Sequence, residues 1–199
     1  EQEQVRLGSL QQLRDLGINP FPAEEFIVSH RSADLRVDFK EGVEVSLAGR
    51  MMSRRIMGKA SFAELKDAQG SFQLYLNRDE ICPGEDKTLY NSVFKKLLDR
   101  GDFIGVKGVT FLTKVGEPSV KVLEFKVLSK AIRPLPAVKT DEEGNVHDAF
   151  SDPELRYRMR YVDLCVNDKV KDTFIARSKI IRTMREAFDN EGWLEVDTP

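Results

Sequence analysis

The segment between residues 43 and 128 constrains the fold most, because its apolar residues recur with a period of two. This period predicts β-strands that turn one face toward a core and the other toward solvent. In the third of these strands, Phe72, Leu74 and Leu76 share one face while Gln73 and Tyr75 share the other. Five strands are predicted, at 43–49, 61–66, 71–77, 103–114 and 119–128.

One amphipathic helix interrupts the predicted strands. Leu89, Val93, Phe94 and Leu97 recur at helical spacing, with Thr88 as a candidate cap and a glycine beyond the last turn. Three strands, a helix and two strands are the order of the oligonucleotide-binding (OB) fold, a small barrel that contacts nucleic acids or sugars. We therefore expect an α+β, mainly β, chain built around a five-stranded OB barrel.

The segments on either side of the barrel are predicted to be helical. Leucines at helical spacing predict a helix over 2–16, and a polar stretch after Lys130 predicts a linker. A short helix capped by Ser151 or Asp152, a long helix from about Asp168 and a strand at 193–197 are expected to follow. The predicted organisation is a lead-in at 1–40, the barrel at 41–130, the linker at 131–151 and the opening of a further domain at 152–199.

The long helix near the carboxyl end carries an apolar face that includes Ile180, Met184 and Phe188. Such a face, followed by a strand, needs a sheet or a partner to cover it, and too little sequence follows to supply one. We therefore expect that the chain is a piece of a longer protein or that a partner completes it. Self-association through these three side chains is the expected outcome for the isolated chain.

Composition excludes several classes of protein. The net charge of -2 argues against non-specific coating of nucleic acid, and two cysteines provide neither a disulfide framework nor a thiol zinc site. The absence of a long apolar run and of a secretory signal predicts a soluble, cytoplasmic protein without a membrane partner. His30 and His147 lie in polar surroundings without metal-ligand spacing, so we predict neither catalytic residues nor a metal site.

One basic segment could bind nucleic acid. Between Val45 and Ala63 the charged residues are all cations, and the segment leads into the strand that carries Phe62, beside Gln73 on the next strand. An aromatic ring can stack on an unpaired base while amide and guanidinium groups read its edge. A solvated basic face with a core phenylalanine explains the same residues, so the pattern alone leaves both interpretations open. The cations are Arg50, Arg54, Arg55 and Lys59.

The same segment resembles a known family. Residues 49–62 (GRMMSRRIMGKASF), followed by Leu65, Asp67 and FQLY at 72–75, closely resemble the anticodon-binding domain of bacterial class II lysyl-tRNA synthetases. The resemblance covers almost the whole chain. It continues through GDFIG at 101–105, TKVGE at 113–117, RPLP at 133–136, RYRMRYVDL at 156–164 and GWLEVDTP at 192–199.

The resemblance implies roles for individual residues. Phe62 would stack on the central uridine of the lysine anticodon, while Arg54, Gln73 and Glu124 would contact the anticodon bases. Arg55 and Lys59 complete the expected nucleic-acid-binding set through the basic segment. The long helix and the strand that ends at Pro199 resemble motif 1 of class II enzymes, which builds the dimer interface, so Ile180, Met184, Phe188 and Pro199 are the expected interface residues.

For the whole protein the resemblance implies lysine--tRNA ligase activity. The expected partners are the tRNA(Lys) anticodon loop, lysine, ATP with Mg²⁺, and a second copy in a homodimer. Motifs 2 and 3 are missing from the sequence, so we expect the chain alone to be inactive and to need no cofactor. The segment 137–150 departs from the shorter family linker. Two alternatives remain, an aspartyl or asparaginyl enzyme of the same subclass and a free-standing OB-fold RNA-binding module.

Overall fold

The computed structural model describes residues 1–136, 139–140, 146–147 and 150–197. Two compact units divide the chain, at 1–134 and 135–199. Pro199 and most of the predicted 137–150 insertion lie outside the described residues. Within the second unit, strands Lys139–Thr140 and Val146–His147 pair as a short antiparallel hairpin.

The first unit is built on the closed barrel predicted from the sequence. Its strands follow the order β1-β2-β3-β5-β4, with β4 returning to β1. Neighbouring strands are antiparallel except β3 and β5, which run parallel and place Gln73 beside Ser119. The strands are β1 Glu44–Met57, β2 Ala60–Lys66, β3 Ser71–Asn77, β4 Phe103–Leu112 and β5 Pro118–Ser129.

Helices surround this barrel. The amino-terminal helix α1 Gln2–Asp15 buries Leu10 and Leu13, and α2 Ser32–Val37 buries Leu35. The sequence predicted neither α2 nor the short helix α3 Arg78–Ile81, which precedes the predicted amphipathic helix. The latter is a π-helix, Leu89–Leu97, and Thr88 makes no side-chain capping hydrogen bond to it.

The core fills the barrel with the apolar face of each strand. Alternation is strict on β3, where Phe72, Leu74 and Leu76 are almost fully buried. Tyr90 of the π-helix is buried with them, and its hydroxyl lies 2.7 Å from Ser61 Oγ, so its polar group is satisfied. Burying each such side chain contributes about 1.5 to 3 kcal/mol, which fixes the register of the strands and therefore of their outward faces.

The first strand differs from the prediction. β1 continues to Met57 instead of ending near Gly49, so the basic segment is part of the strand. Between Met51 and Ser53 a β-bulge leaves one residue without a partner on β2. The extra residue reverses which side chains face inward in the second half of β1, because side chains alternate along a strand.

Between residues 153 and 190 the second unit is mainly helical. Asp152 caps α4 Pro153–Arg158 by accepting a hydrogen bond from the Leu155 amide at 2.8 Å, with Pro153 in the first turn, as one of the two predicted caps requires. The short helix predicted after this cap is two helices, because the backbone breaks at Met159 before α5 Arg160–Val166. The long helix is α6 Asp168–Asn190.

The predicted strand at 193–197 is not formed. Residues 193–197 have no strand partner among the residues that the structure describes, and a strand needs one to satisfy its backbone groups. Instead the segment is tied to α6 by Arg185, whose guanidinium nitrogens lie 2.9 and 3.0 Å from Glu195 Oε1. Among the described residues, no helix is long and apolar enough to cross a membrane.

Candidate nucleic-acid interface

A cleft lies over the outward face of the first three strands. Its walls come from β1, β2 and β3, with contributions from α2 and from the turn that precedes β5. The lining residues are Arg36, Ser53, Arg54, Arg55, Phe62, Ala63, Glu64, Phe72, Gln73 and Glu117. Three of the predicted nucleic-acid-binding residues, Arg55, Phe62 and Gln73, meet here on the outward faces of neighbouring strands.

Phe62 lines this cleft and is supported by two aromatic rings outside its lining, Tyr75 and Phe111. Phe62 and Tyr75 are paired across β2 and β3, with ring centroids 5.3 Å apart and planes inclined by 56°. Tyr75 is supported in turn by Phe111, whose centroid lies 5.7 Å away in an edge-to-face arrangement. Phe62 is half-buried and so keeps part of its surface open to solvent. A ring fixed in this way is a platform on which a base can stack.

Arg55 lies opposite Phe62 on β1. Its guanidinium carbon is 5.7 Å from the centre of the Phe62 ring, within the range of a cation–π interaction. Arg55 is exposed, and so its charge remains available to a phosphate or to the edge of a base.

Gln73 carries the amide of the cleft. Its Nε2 donates to Ser119 Oγ at 2.8 Å, a contact made possible by the parallel pairing of β3 and β5. An amide has a second N–H and a carbonyl oxygen, so orientation by Ser119 still leaves a donor and an acceptor for a ligand. This pair of groups matches the alternating acceptors and donor on the edge of uracil.

Arg54 occupies a different environment from Arg55, because the bulge turns it to the inner side of β1, opposite the buried Ala63. Its guanidinium donates to the Phe94 carbonyl at the end of the π-helix and lies 5.7 Å from the Phe94 ring centre. Burial lowers the pKa of Arg54, and the charges of Asp99 and Asp102 partly restore it. Although Arg54 lines the cleft, its main contact is with the helix end and not with the open face.

Glu124 and Lys59 lie outside the cleft. Glu124 pairs with Lys107 of β4 at 3.1 Å and lines a separate groove beside Phe26, so the structure does not bring it to Phe62. Lys59 lies in the turn between β1 and β2, beyond the cleft, with 70% of its side chain exposed.

Glu117 and Arg36 are cleft residues to which the sequence analysis assigned no role. Glu117 belongs to the turn between β4 and β5, and Arg36 donates from α2 to the carbonyl of Ser71 at 2.9 Å. The parallel pairing of β3 with β5 brings the start of β5, and therefore Glu117, beside Gln73. The family-like TKVGE segment at 113–117 was the available signal, but the position of its glutamate depends on that pairing.

In the second unit the predicted interface side chains lie exposed on α6. Ile180, Met184 and Phe188 are 61, 55 and 57% exposed. Met184 and Phe188 line an apolar groove with Trp193 and Leu194, whereas Ile180 lies outside it. Pro199, the fourth predicted interface residue, is outside the described residues.

Comparison with known proteins matches both units. The family model of the OB-fold nucleic acid binding domain of the tRNA anti-codon type matches residues 45–128, and the model of tRNA synthetases class II (D, K and N) matches residues 152–199. The first match agrees with the barrel, and the second with the start of a synthetase catalytic domain.

Curated relatives extend the match to the whole chain. The chain is 57% identical over 199 residues to the lysine--tRNA ligase of Christiangramia forsetii and 58% identical over 204 aligned residues to that of Porphyromonas gingivalis. The lysine--tRNA ligase of Azobacteroides pseudotrichonymphae is 53% identical over 202. Each alignment covers all of this chain but only 35 to 40% of the relative.

These relatives confirm the resemblance to the lysine enzymes over those for aspartate and asparagine. The anticodon-type OB domain and the class II segment follow one another here, and the chain is similar over its whole length to part of the class II lysine--tRNA ligases.

Proposed function

We propose that the first unit reads the anticodon loop of lysine tRNA. The observation that carries this proposal is the outward pairing of Phe62 with Tyr75 beside the Ser119-bound amide of Gln73. Unpaired RNA bases are recognised by stacking on aromatic rings together with hydrogen bonds to their edges. The cleft offers both on adjoining strands.

Each cleft residue has a separate role in this proposal. Phe62 stacks on the central uridine, and Gln73 bonds to the edge of a base through its remaining N–H and carbonyl oxygen. Arg55 adds a cation beside the stacked base, and Glu117 accepts a hydrogen bond from a base amino or imino group. Arg54 acts indirectly, by holding β1 against the π-helix. Glu124 forms an ion pair with Lys107 on the outer surface of the barrel, and we assign it no contact with a base.

The chain spans about a third of the length of the curated relatives it matches. The proposal therefore extends to a longer protein. We propose that the whole protein attaches lysine to its tRNA at the expense of ATP, with Mg²⁺ assisting the phosphates, as a homodimer in the cytoplasm. The apolar groove of α6 would lie at the dimer interface with Ile180 and Pro199. The described residues contain no group of three or more potential metal ligands, so we assign none of them to Mg²⁺ or ATP.

Titration with RNA stem-loops tests the proposal. The 199-residue chain would be titrated with a stem-loop that carries the lysine anticodon, with the same stem-loop in which the central uridine is cytidine, and with one that carries the aspartate anticodon. The lysine loop should bind more tightly than the central-cytidine loop, because only uracil presents an N3–H between two carbonyl acceptors to the cleft. The aspartate loop keeps the central uridine, so its affinity tests the contribution of the flanking anticodon bases. Equal affinity for all three loops would contradict the proposal.

A further inference from the structure

The turn between β1 and β2 concentrates positive charge at the end of the cleft. We call the surface formed by residues 55–59 and Lys95 the hairpin tip. No acidic residue occurs between Gly49 and Ala63, and the Lys59 side chain is 70% exposed. Lys95 of the π-helix reaches the same turn, where its Nζ donates to the Gly58 carbonyl at 2.5 Å. Two ammonium groups from separate elements therefore meet at this tip.

The nearest carboxylate does not neutralise this charge. Asp79 is 4.0 Å from Lys59, but the same carboxylate is bound by Arg78 at 2.9 Å and by Lys87 at 3.4 Å. One negative charge thus faces three cations. Hydrogen bonds and charge from Arg78 and Lys87 keep the pKa of Asp79 below its usual value, so it remains ionised and its single charge is already shared.

Two neighbouring charged groups do not belong to this surface. Glu80 is paired with Lys121 at 2.9 Å. Lys87 lies in a loop that also carries Glu85 and Asp86, so its surroundings are not positive. The uncompensated charge is therefore that of Lys59 and Lys95, together with Arg55 near the end of β1.

The hairpin tip continues the outward face of the cleft. Ala60, at the end of the turn, is two residues before Phe62 on β2, which corresponds to about 7 Å along a strand. Arg55 is paired with Phe62, and Met57 with Ala60, so the same ladder connects the cleft to the tip. The ammonium groups at the tip therefore lie further along the same two strands that carry the ring on which a base would stack.

We propose that Lys59 and Lys95 bind backbone phosphates of the single-stranded RNA whose base occupies the cleft. This inference rests on the proposed function, since it concerns the same RNA strand. Phosphate contacts fix the position of a nucleic acid without reading its sequence, whereas contacts to base edges specify it. The cleft therefore discriminates among bases, and the hairpin tip supplies the part of the affinity that depends on salt concentration.

Salt dependence separates the two roles. Affinity of the chain for the lysine stem-loop and for its central-cytidine counterpart would be measured over a series of salt concentrations, for the wild type, Lys59→Gln, Lys95→Gln and the double variant. Lys126→Gln is the matched control, because it removes a partly exposed lysine from β5, on the groove of Glu124 and away from the cleft. Thermal unfolding of each variant confirms that the barrel is intact.

Each lysine variant should lower the slope of log affinity against log salt by about 0.7 to 1 and weaken both RNAs equally, and the control should change neither. An unchanged slope, a loss no larger than that of Lys126→Gln, or a loss confined to the lysine loop would overturn the inference. If the wild type binds both RNAs equally but the slopes still fall, the base-reading proposal fails and the phosphate surface stands. If the wild type binds neither RNA, both fail.

Discussion

Phe62 and Tyr75 are direct cross-strand neighbours on β2 and β3, and their rings lie 5.3 Å apart on the outward side of the barrel. Most aromatic rings of this size are buried in a core, where the inner faces of these strands already hold Phe72 and Leu74. An aromatic pair on the opposite face lowers the entropic cost of stacking a base, because the receiving ring is already held in place.

Removing the Phe62 ring should weaken RNA binding. We expect Phe62→Ala to cost about 1 to 3 kcal/mol in affinity for the lysine stem-loop, because base–aromatic stacking is lost. Phe103→Ala is a suitable control, since Phe103 is also partly exposed but contacts Arg50 on another part of the barrel. Fluorescence titration measures both. A Phe62 variant that binds as well as the Phe103 variant would show that the ring only packs.

Gln73 should control the choice of base more than total affinity. Gln73→Ala removes both amide groups, so the preference for uridine over cytidine at the central position should shrink by about tenfold, equivalent to about 1.4 kcal/mol. Ser119→Ala, which removes the acceptor 2.8 Å from Gln73 Nε2, should have a smaller effect in the same direction. Competition binding between the two stem-loops gives the ratio directly. A ratio that stays at the wild-type value in Gln73→Ala rules out base reading by this amide.

Substitution of the two adjacent arginines should have different effects, on stability for Arg54 and on RNA binding for Arg55. Arg54→Ala removes the donor at the Phe94 carbonyl and should lower the free energy of unfolding by about 1 to 2 kcal/mol, because a cation at a helix carboxyl end is lost. Arg55→Ala, on the outward side, should leave stability within about 0.5 kcal/mol and weaken RNA binding instead. Urea denaturation and RNA titration on both variants check this. The reverse assignment of effects would show that Arg54 is the reader, as the sequence analysis expected.

The carboxylate of Asp67 should make the free energy of unfolding of the barrel fall at low pH. Burial raises the pKa of Asp67, but hydrogen bonds from Ser32, Gln69 and Gly70 outweigh it and leave the pKa lowered. Since the pKa of the folded state is below that of the unfolded state, the stabilisation is complete above about pH 4 and is lost as the pH falls through the folded value.

Urea unfolding of the wild type and Asp67→Asn tests this dependence. The variant should be clearly less stable at about pH 6, and the gap should narrow toward about pH 3. Asp38→Asn is the control, because Asp38 forms an exposed pair with Lys40 and such pairs contribute little. A gap of constant size across the range would show that the Asp67 carboxylate charge is irrelevant to folding.

Gly108 should be intolerant of a side chain. A Cβ at this position would lie 2.1 Å from the Lys121 carbonyl oxygen, in the ladder between β4 and β5. Gly108→Ala should therefore destabilise by about 1 to 3 kcal/mol or more. Gly8→Ala, on helix α1 with nothing within 4 Å, should stabilise by about 0.5 to 1 kcal/mol. Thermal unfolding that places the two variants at the same midpoint would contradict this account.

The sequence predicted the barrel because apolar residues alternate along β2 and β3 and their apolar faces are buried. It also predicted Phe62 and Gln73 as neighbours, since both lie on the outward phase of adjoining strands. The same alternation could not show which of Arg54 and Arg55 faces outward. Alternation continued from Val45 places Arg54 outward, and only the bulge after Met51 reverses it. A bulge depends on tertiary pairing and leaves no period in the sequence.

Two further differences have equally specific causes. The role of Glu117 depends on the parallel pairing of β3 with β5, which joins segments far apart in the chain. The extended segment 193–197 has the composition of a strand, but a strand requires a neighbouring one, and the described residues provide none. Local pattern predicts an element, whereas its partner decides whether the element forms.

The unpaired residue in β1 uncouples the two ends of this strand. Residues 45–50 are in register with β4, and residues 54–57 are in register with β2. Met52 is the unpaired residue between these two segments. Deleting Met52 would join the two registers into one continuous ladder and leave Arg55 opposite Phe62, because Met51 already pairs with Leu65 and Ser53 with the adjacent Glu64. Loss of this one residue would therefore leave the cleft residues of β1 and β2 in their places.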